Sequence, residues 1–206
     1  MELKTPEKGG YDKVLSELDA PIDVQQANAV YVGQRIIIPT QGEADSLYQD
    51  GYGRRLENRD FALTPSEALY LVEKERLTII DEDEGRILSF QEILNRELKK
   101  DALLWTKYII YRDIRGRGFV TKFPTEQSTI FLVYERGTYA KKPPCYEIHT
   151  VYEGMNETIG HLEQVLQSSM RSNRTLKLAV IDRRGEVVYY SLEKAELEKL
   201  GSDALE

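Results

Sequence analysis

The chain has 206 residues, of which 41% are hydrophobic and 31% are charged, and its formal net charge at pH 7 is −7. This composition is typical of a soluble globular protein, and no apolar run approaches the roughly 18 to 20 residues that a membrane-spanning helix needs. The N-terminal stretch MELKTPEKGGYDK lacks the apolar segment of a secretory signal, so we expect a cytoplasmic protein without a membrane partner.

The first part of the chain predicts a small α/β unit. Residues 1–27 are polar, with one weak helical pattern at YDKVLSELD. The stretch AVYVGQRIIIPT predicts a strand, a turn at Gly33 and a second strand, and QGEADSLYQDGYG predicts a short amphipathic helix. A further helix is expected from Pro65, because Thr64 and Glu67 have the spacing of a capping box and proline suits the first helical position.

The middle of the chain predicts a strand pair and a long helix. LTIIDEDEGRIL reads as a strand, an acidic turn and a second strand. In SFQEILNRELKKDALLWTKYIIYRDIRGRGF the apolar and aromatic residues recur at helical spacing, and Gly116 and Gly118 are expected to end the helix.

From residue 119 onward the pattern becomes that of a sheet. Strands are predicted at FVTKF, STIFLVY, YEIHTVY, LKLAVID and EVVYYSL, and RRGE forms a tight turn with Gly185 at positive φ. One amphipathic helix interrupts them at NETIGHLEQVLQSSMRS, where we expect Ile159, Leu162, Leu166 and Met170 to face inward. The charged tail EKAELEKLGSDALE predicts a frayed helix.

Together these elements predict an α+β protein with a small N-terminal α/β domain and a C-terminal mixed sheet on which helices pack. We place an N-terminal extension at 1–27, the two domains at 28–98 and 99–193, and a charged tail at 194–206. No internal repeat is evident in the sequence.

Four segments in a fixed order are more specific than this organisation: ALTPSEALYLVEKERL, YIIYRDIRGRGFVTK, FLVYERG and LKLAVIDRRGEVVYY. In this order they resemble the archaeal tRNA-intron splicing endonucleases over roughly residues 28 to 193. The resemblance implies that 28–98 is the family's N-terminal domain and 99–193 its nuclease-like C-terminal domain. It also implies metal-independent removal of introns from precursor tRNA at bulge-helix-bulge sites, leaving a 2′,3′-cyclic phosphate and a 5′-hydroxyl.

The resemblance assigns three catalytic positions, a tyrosine base, a histidine acid and a lysine that stabilises charge. Tyr134 in FLVYERG matches the tyrosine, whereas Pro143 stands at the histidine position and Arg174 at the lysine position. His149 lies inside the following strand and is either a relocated general acid or an ordinary residue of a sheet face. The family arginine that stacks on a bulged adenine corresponds to Gln167.

A family member that has lost these groups is expected to be a structural unit. The resemblance implies assemblies of four core units, in which such a unit works beside a catalytic subunit or repeat on precursor tRNA. Two alternatives remain open: an active endonuclease that uses His149, or an assembly or RNA-binding module without a role in cleavage. The net charge of −7 argues against the last one as an RNA binder.

Basic side chains supply the candidate RNA contacts, which are Arg115, Arg117, Lys141, Lys142 and Arg171. The two arginines of RGRGF also complement the dipole at a helix C-terminus, and adjacent lysines in a loop are commonly solvated. The final strand supplies a candidate subunit interface by edge pairing. Its residues and those of the preceding turn are Asp182, Arg183, Arg184, Glu186, Val187, Tyr189 and Leu192, with the two arginines offsetting the acids of a turn that is acidic in the family.

Metal ligands are scarce in the sequence. The chain has one cysteine, Cys145, and two histidines, His149 and His161, without an HxxxH or CxxC spacing. We therefore expect no metal site, no cofactor and no internal disulfide, and we interpret His161 as a helix-surface residue.

Overall fold

Two five-stranded sheets, one in each half of the chain, organise the computed structural model, which describes residues 26–57, 59–125, 128–152 and 157–193. The predicted α+β class is confirmed. The weak helical pattern at YDKVLSELD and the predicted helix of the charged tail lie outside the described residues.

Within residues 26–57 and 59–98, the structure describes one sheet and three helices. The elements of this N-terminal half are β1 (Ala27–Val32), β2 (Arg35–Ile38), α1 (Gln41–Gln49), β3 (Arg54–Arg55), β4 (Phe61–Leu63), α2 (Pro65–Glu73), β5 (Leu77–Asp81) and α3 (Phe90–Leu98). The strand order is β3-β4-β2-β1-β5, with β1 antiparallel to β2 and parallel to β5. The predicted strand, turn and strand around Gly33 are confirmed.

The start of α2 follows the predicted capping box. The Thr64 hydroxyl accepts a hydrogen bond from the Glu67 N–H at 3.3 Å, and the Glu67 carboxylate accepts one from the Thr64 N–H at 2.9 Å. Ser89 and Glu92 form the same arrangement at the start of α3. Each box satisfies two backbone donors that a helix N-terminus would otherwise leave unpaired.

Two predictions for the middle of the chain are wrong in detail. The long helix is two helices, α3 and α4 (Leu104–Gly116), because the Asp101 side chain accepts the Leu103 N–H at 2.9 Å and its carbonyl accepts the Leu104 N–H at 3.0 Å. The turn at Asp101 therefore separates α3 from the new helix, which begins at Leu104. After the acidic turn, the second strand is reduced to one isolated bridge between Ile80 and Ile87.

The C-terminal half holds the second sheet. Its elements are β6 (Val120–Lys122), β7 (Ile130–Tyr134), β8 (Tyr146–Tyr152), α5 (Ile159–Arg171), β9 (Thr175–Ile181) and β10 (Val187–Ser191). The strand order is β10-β9-β8-β7-β6, and the five predicted strands are confirmed. The parallel pair β8 and β9 is connected through α5, and the other neighbours are antiparallel.

Helix α4 joins the two halves. It packs on α2 and α3 on one side and on β6 and β10 on the other. Its side chains Tyr108, Ile110 and Tyr111 are at most 1% exposed, and the buried core continues from them into both sheets. The relative position of the two sheets is thus set by one shared hydrophobic core.

The predicted inward stripe of α5 is only partly buried. Leu162 and Leu166 are half-buried, but Ile159 is 86% exposed and Met170 57% exposed. Helix α5 packs on β9, the strand next to the sheet edge. None of the described helices is long and apolar enough to cross a membrane.

Candidate functional site

Tyr134, the last residue of β7, lies in a surface cleft of about 360 Å³. Its ring meets that of Tyr139 edge to face, with centroids 5.0 Å apart. Burial, as the main cause, raises the pKa of Tyr139 to about 12. The cleft lining comprises Tyr48, Tyr134, Tyr139, Ala140, Lys141, Lys142 and Pro143. Tyr134 and Pro143, which the resemblance places at the base and acid positions, therefore share one cleft.

The loop between β7 and β8 is held by its own backbone. The Thr138 carbonyl accepts the N–H groups of Lys141 and Lys142, both at 2.9 Å, and the Cys145 N–H returns to the Val133 carbonyl at 3.0 Å. These bonds fix the loop that carries Pro143. Proline has no titratable group and no N–H, so it supplies no proton at this position.

Arg174 is engaged by a buried carboxylate. Its Nη1 donates to Glu147 Oε2 at 3.1 Å, and the Glu147 residue is only 6% exposed. The next residue, Thr175, donates its N–H to the Cys145 carbonyl at 2.9 Å, which places Arg174 at the same sheet end as the cleft loop. The guanidinium thus balances a charge inside the protein, which is costly to leave unpaired.

His149 is not brought to Tyr134. In β8 it stands opposite Ile130, four residues before Tyr134 along β7, which corresponds to about 13 Å of strand. It is 8% exposed, and burial lowers the pKa of its imidazole below the ordinary value of 6.5. Its ring faces that of His161 on α5, with centroids 5.4 Å apart. The structure groups the two histidines with each other and away from the cleft.

An ion pair beside the cleft escaped the sequence analysis. Lys122 Nζ lies 2.9 Å from Glu67 Oε1 and donates to the Gly53 carbonyl at 2.8 Å. Burial is the main cause of the lowered pKa of Lys122, and the nearby Glu67 carboxylate opposes it. Both residues line a second concavity with Tyr48 and Tyr139. The partners are 55 positions apart in sequence, so no local pattern could reveal the pair.

The two candidate arginines of α4 and its end are occupied within the fold. The Arg115 guanidinium stacks over the Tyr52 ring at 4.0 Å and donates to the Asp50 carbonyl at 3.1 Å. Arg117 donates to Asp113 at 2.9 Å. Arg117 is nevertheless exposed, as are the three other candidates for RNA contact, namely Lys141, Lys142 and Arg171.

The turn before β10 is closed by Asp182. Its Oδ1 accepts the N–H groups of Arg184 at 2.8 Å and Glu186 at 2.9 Å, and Gly185 has φ +81°. One oxygen of this carboxylate is therefore engaged in closing the turn. The side chains of Arg183, Arg184 and Glu186 are exposed.

Strand β10 is an edge of the second sheet. Val187 and Tyr189 pack against the core, and the Tyr189 hydroxyl donates to Asp113 at 2.8 Å. The alternate residues Val188 and Tyr190 are 49% and 56% exposed. Beyond the strand, the Leu192 N–H still pairs with β9. An open strand edge flanked by exposed apolar side chains is suited to pairing with another strand.

Comparisons with known proteins agree with the resemblance read from the sequence. The family model "tRNA intron endonuclease, N-terminal domain" matches residues 27–94, and "tRNA intron endonuclease, catalytic C-terminal domain" matches residues 104–189. These two matches lie on either side of the break between α3 and α4.

Archaeal proteins named tRNA-splicing endonuclease are similar over most of the chain. That of Pyrococcus furiosus is 30% identical over 162 residues, covering 78% of this chain and 92% of the relative. That of Thermococcus onnurineus is 28% identical over 161 residues, with the same two shares. A relative from Methanococcoides burtonii is 25% identical over 170 residues, which are 82% of this chain and 47% of the relative. The chain therefore belongs to the tRNA intron endonuclease family.

Proposed function

We propose that this chain is a structural, noncatalytic unit of a tRNA-splicing endonuclease. It assembles with a unit that bears the complete tyrosine, histidine and lysine set, and the assembly of four core units removes introns from precursor tRNA at bulge-helix-bulge sites. The observation that carries the proposal is the cleft in which Tyr134 faces a loop with Pro143 at the position of the general acid.

The chemistry of intron removal requires a proton donor at this place. When the ribose 2′-hydroxyl attacks the phosphate, the leaving 5′-oxygen must gain a proton, and a group that titrates near neutrality does this best. Pro143 offers none, and Tyr139, with a pKa of about 12, is a weak acid at neutral pH. The cleft residues therefore support a role in assembly rather than in proton transfer.

The state of Arg174 supports the same role. A cation stabilises the transition state when it is aimed at the developing charge. Here one arm of the guanidinium is bonded to the buried Glu147 carboxylate. That pair fits a residue that holds β8 and β9 together.

The alternative of an active subunit with His149 as the acid has less support. The strand register puts this imidazole about 13 Å along the sheet from Tyr134. A stand-alone RNA-binding module is disfavoured by the net charge of −7 and by the bonds that Arg115 makes within the fold.

Cleavage assays on a labelled bulge-helix-bulge RNA in the presence of EDTA test the proposal. We expect no cleavage by this chain alone and cleavage when it is mixed with a family member that carries all three catalytic groups. Tyr134→Phe in this chain should leave the mixture fully active, whereas substituting the partner's catalytic histidine should abolish cleavage. Cyclic phosphate ends produced by this chain alone would overturn the proposal.

A further inference from the structure

The two histidines of the chain meet at one place beneath the start of α5. His149 comes from β8, His161 from the first turn of α5, and Glu157 from the residue before the N-cap Thr158. One ring nitrogen of each histidine and one carboxylate oxygen of Glu157 all lie within 4.8 Å of one another. His161 Nδ1 and Glu157 Oε1 are in direct contact.

Two of the three side chains are shielded from solvent and the third is open to it. His149 is 8% exposed, and its Nδ1 is sealed from solvent without a hydrogen-bond partner in the part of the chain that the structure describes. The Glu157 side chain is 11% exposed and that of His161 50% exposed. A buried, unpaired ring nitrogen is costly, so it points to a partner other than the residues that the structure describes.

Two imidazoles and a carboxylate are a donor set for divalent transition metals of the zinc type. In tetrahedral coordination the donor atoms are about 3.4 Å apart, from bond lengths of about 2.0 to 2.1 Å. The donor atoms lie within 4.8 Å of one another, so rotations of these side chains would bring them to the spacing that a metal ion requires. We propose that His149, Glu157 and His161 bind a divalent transition-metal ion, with Zn²⁺ as the best match and a fourth position open to solvent on the His161 side.

The site has a structural consequence that does not depend on the proposed function. A metal ion there would tie β8 to the first turn of α5 through ligands from both elements. It would also occupy a lone pair of His149 and remove this residue from proton transfer. His149 pairs with Ile130 at the first residue of β7, whereas Tyr134 is the last residue of that strand. The ion would therefore not take part in RNA cleavage at the Tyr134 cleft.

The competing interpretation is a bond network without metal, in which Glu157 pairs with His161 and His149 stays neutral and buried. A second competitor is unspecific binding of cations to an acidic protein. A third is a thiolate site at Cys145, which has a half-buried sulfur donor. Titrations of the protein with metal ions distinguish each of these three interpretations from the proposed site.

The full-length chain, without an affinity tag, is titrated with Zn²⁺ in competition with a chromogenic chelator and with Co²⁺ by visible absorption. We expect one tight equivalent that excess Mg²⁺ does not displace, and a Co²⁺ spectrum typical of nitrogen and oxygen ligands. His161→Asn and Glu157→Gln should weaken Zn²⁺ binding roughly tenfold or more. Two control variants should leave Zn²⁺ binding unchanged. Glu163→Gln removes a carboxylate from the exposed face of α5, and Cys145→Ser removes the thiol.

X-ray absorption of the wild-type zinc complex provides a readout that needs no variant. Two imidazole ligands are expected around the ion. Absence of a tight equivalent, displacement by Mg²⁺, a sulfur ligand in the spectrum, or unchanged affinity in folded His161→Asn and Glu157→Gln would each overturn the proposal.

Discussion

The Lys122 ammonium lies 2.9 Å from the Glu67 carboxylate and connects β6 of the second sheet to α2 beside the first. Glu67 is 2% exposed and also accepts the Gly53 N–H at 3.0 Å and the Thr64 N–H at 2.9 Å. One carboxylate thus caps a helix, holds a loop and receives a cation from the other half of the chain. This relationship makes the joint between the halves polar as well as hydrophobic.

Lys122→Met is expected to lower the free energy of unfolding by about 2 kcal/mol, because it leaves the buried Glu67 carboxylate without its cation. The loss falls below the usual value for a buried pair, since the Lys122 side chain keeps 19% exposure and Glu67 retains three other donors. Urea unfolding followed by circular dichroism measures the change.

The exposed Lys141 supplies the control, and Lys141→Met should change stability by less than about 0.5 kcal/mol. The double variant Lys122→Met, Glu67→Gln should lose less than the sum of the two single variants, because each single change strands the other partner. Equal effects of the two lysine substitutions would contradict the role assigned to the pair.

Arg115 gives a second prediction, which separates folding from RNA contact. Its guanidinium stacks on Tyr52 and donates to the Asp50 carbonyl, so Arg115→Met should cost about 1 to 2 kcal/mol of stability. In a reconstituted endonuclease the folded variant should bind precursor tRNA as tightly as the wild type. Lys141→Gln with Lys142→Gln should give the opposite pattern, with unchanged unfolding and weaker, less salt-dependent RNA binding. A stable Arg115→Met chain with weakened RNA binding would reverse the assignment.

Sequence patterns predict those structural features that depend only on residues close together in the chain. The capping box at Thr64 and the turn at Gly185 follow from residues within a few positions of each other. The break between α3 and α4 was missed because the uniform helical spacing outweighed one side chain, Asp101. The assignment of Tyr134 and Pro143 to the family's base and acid positions rests on the sequence resemblance and not on periodicity.

Tertiary contacts account for what the sequence could not predict. Lys122 and Glu67 meet only because α4 brings the halves together. The grouping of His149 with His161 needs the crossover from β8 to α5, so no short metal-binding spacing in the sequence reveals it. The partial exposure of the α5 stripe depends on where the helix crosses the sheet, which amphipathic spacing does not encode.

Glu92 provides a prediction of pH dependence. Hydrogen bonds from the Ser89 N–H and hydroxyl, and then from Arg86, lower the pKa of this carboxyl from 4.5 to about 2. Because the folded value lies below the unfolded one, the stabilisation is fully present above pH 4.5 and is lost as the pH falls toward 2. Glu92→Gln should therefore be less stable than the wild type at pH 7, and the difference should shrink between pH 4.5 and 2.

Thermal unfolding at a series of pH values, in EDTA, checks this expectation. Glu163→Gln removes an exposed carboxyl from α5 and should leave the acid-dependent part of the curve in place. A constant gap between Glu92→Gln and the wild type over this pH range would show that the carboxylate does not act through its charge.

The edge of β10 gives the last prediction. The Leu192 N–H donates to the Leu176 carbonyl, and the Asp182 N–H donates to the Glu186 carbonyl. In an antiparallel pair these bonds place the inward backbone groups at even-numbered residues of β10, so the N–H of Ser191 points away from β9. Ser191→Pro removes one outward donor and leaves the internal ladder intact. If units of the endonuclease pair through β10, the Ser191→Pro variant should fold normally and fail to associate. Light scattering on the variant by itself, and on its mixture with a catalytic partner, measures this association. The control variant Ser191→Ala should associate as the wild type does. Association that survives both Ser191→Pro and the charged change Tyr190→Lys would place the interface elsewhere.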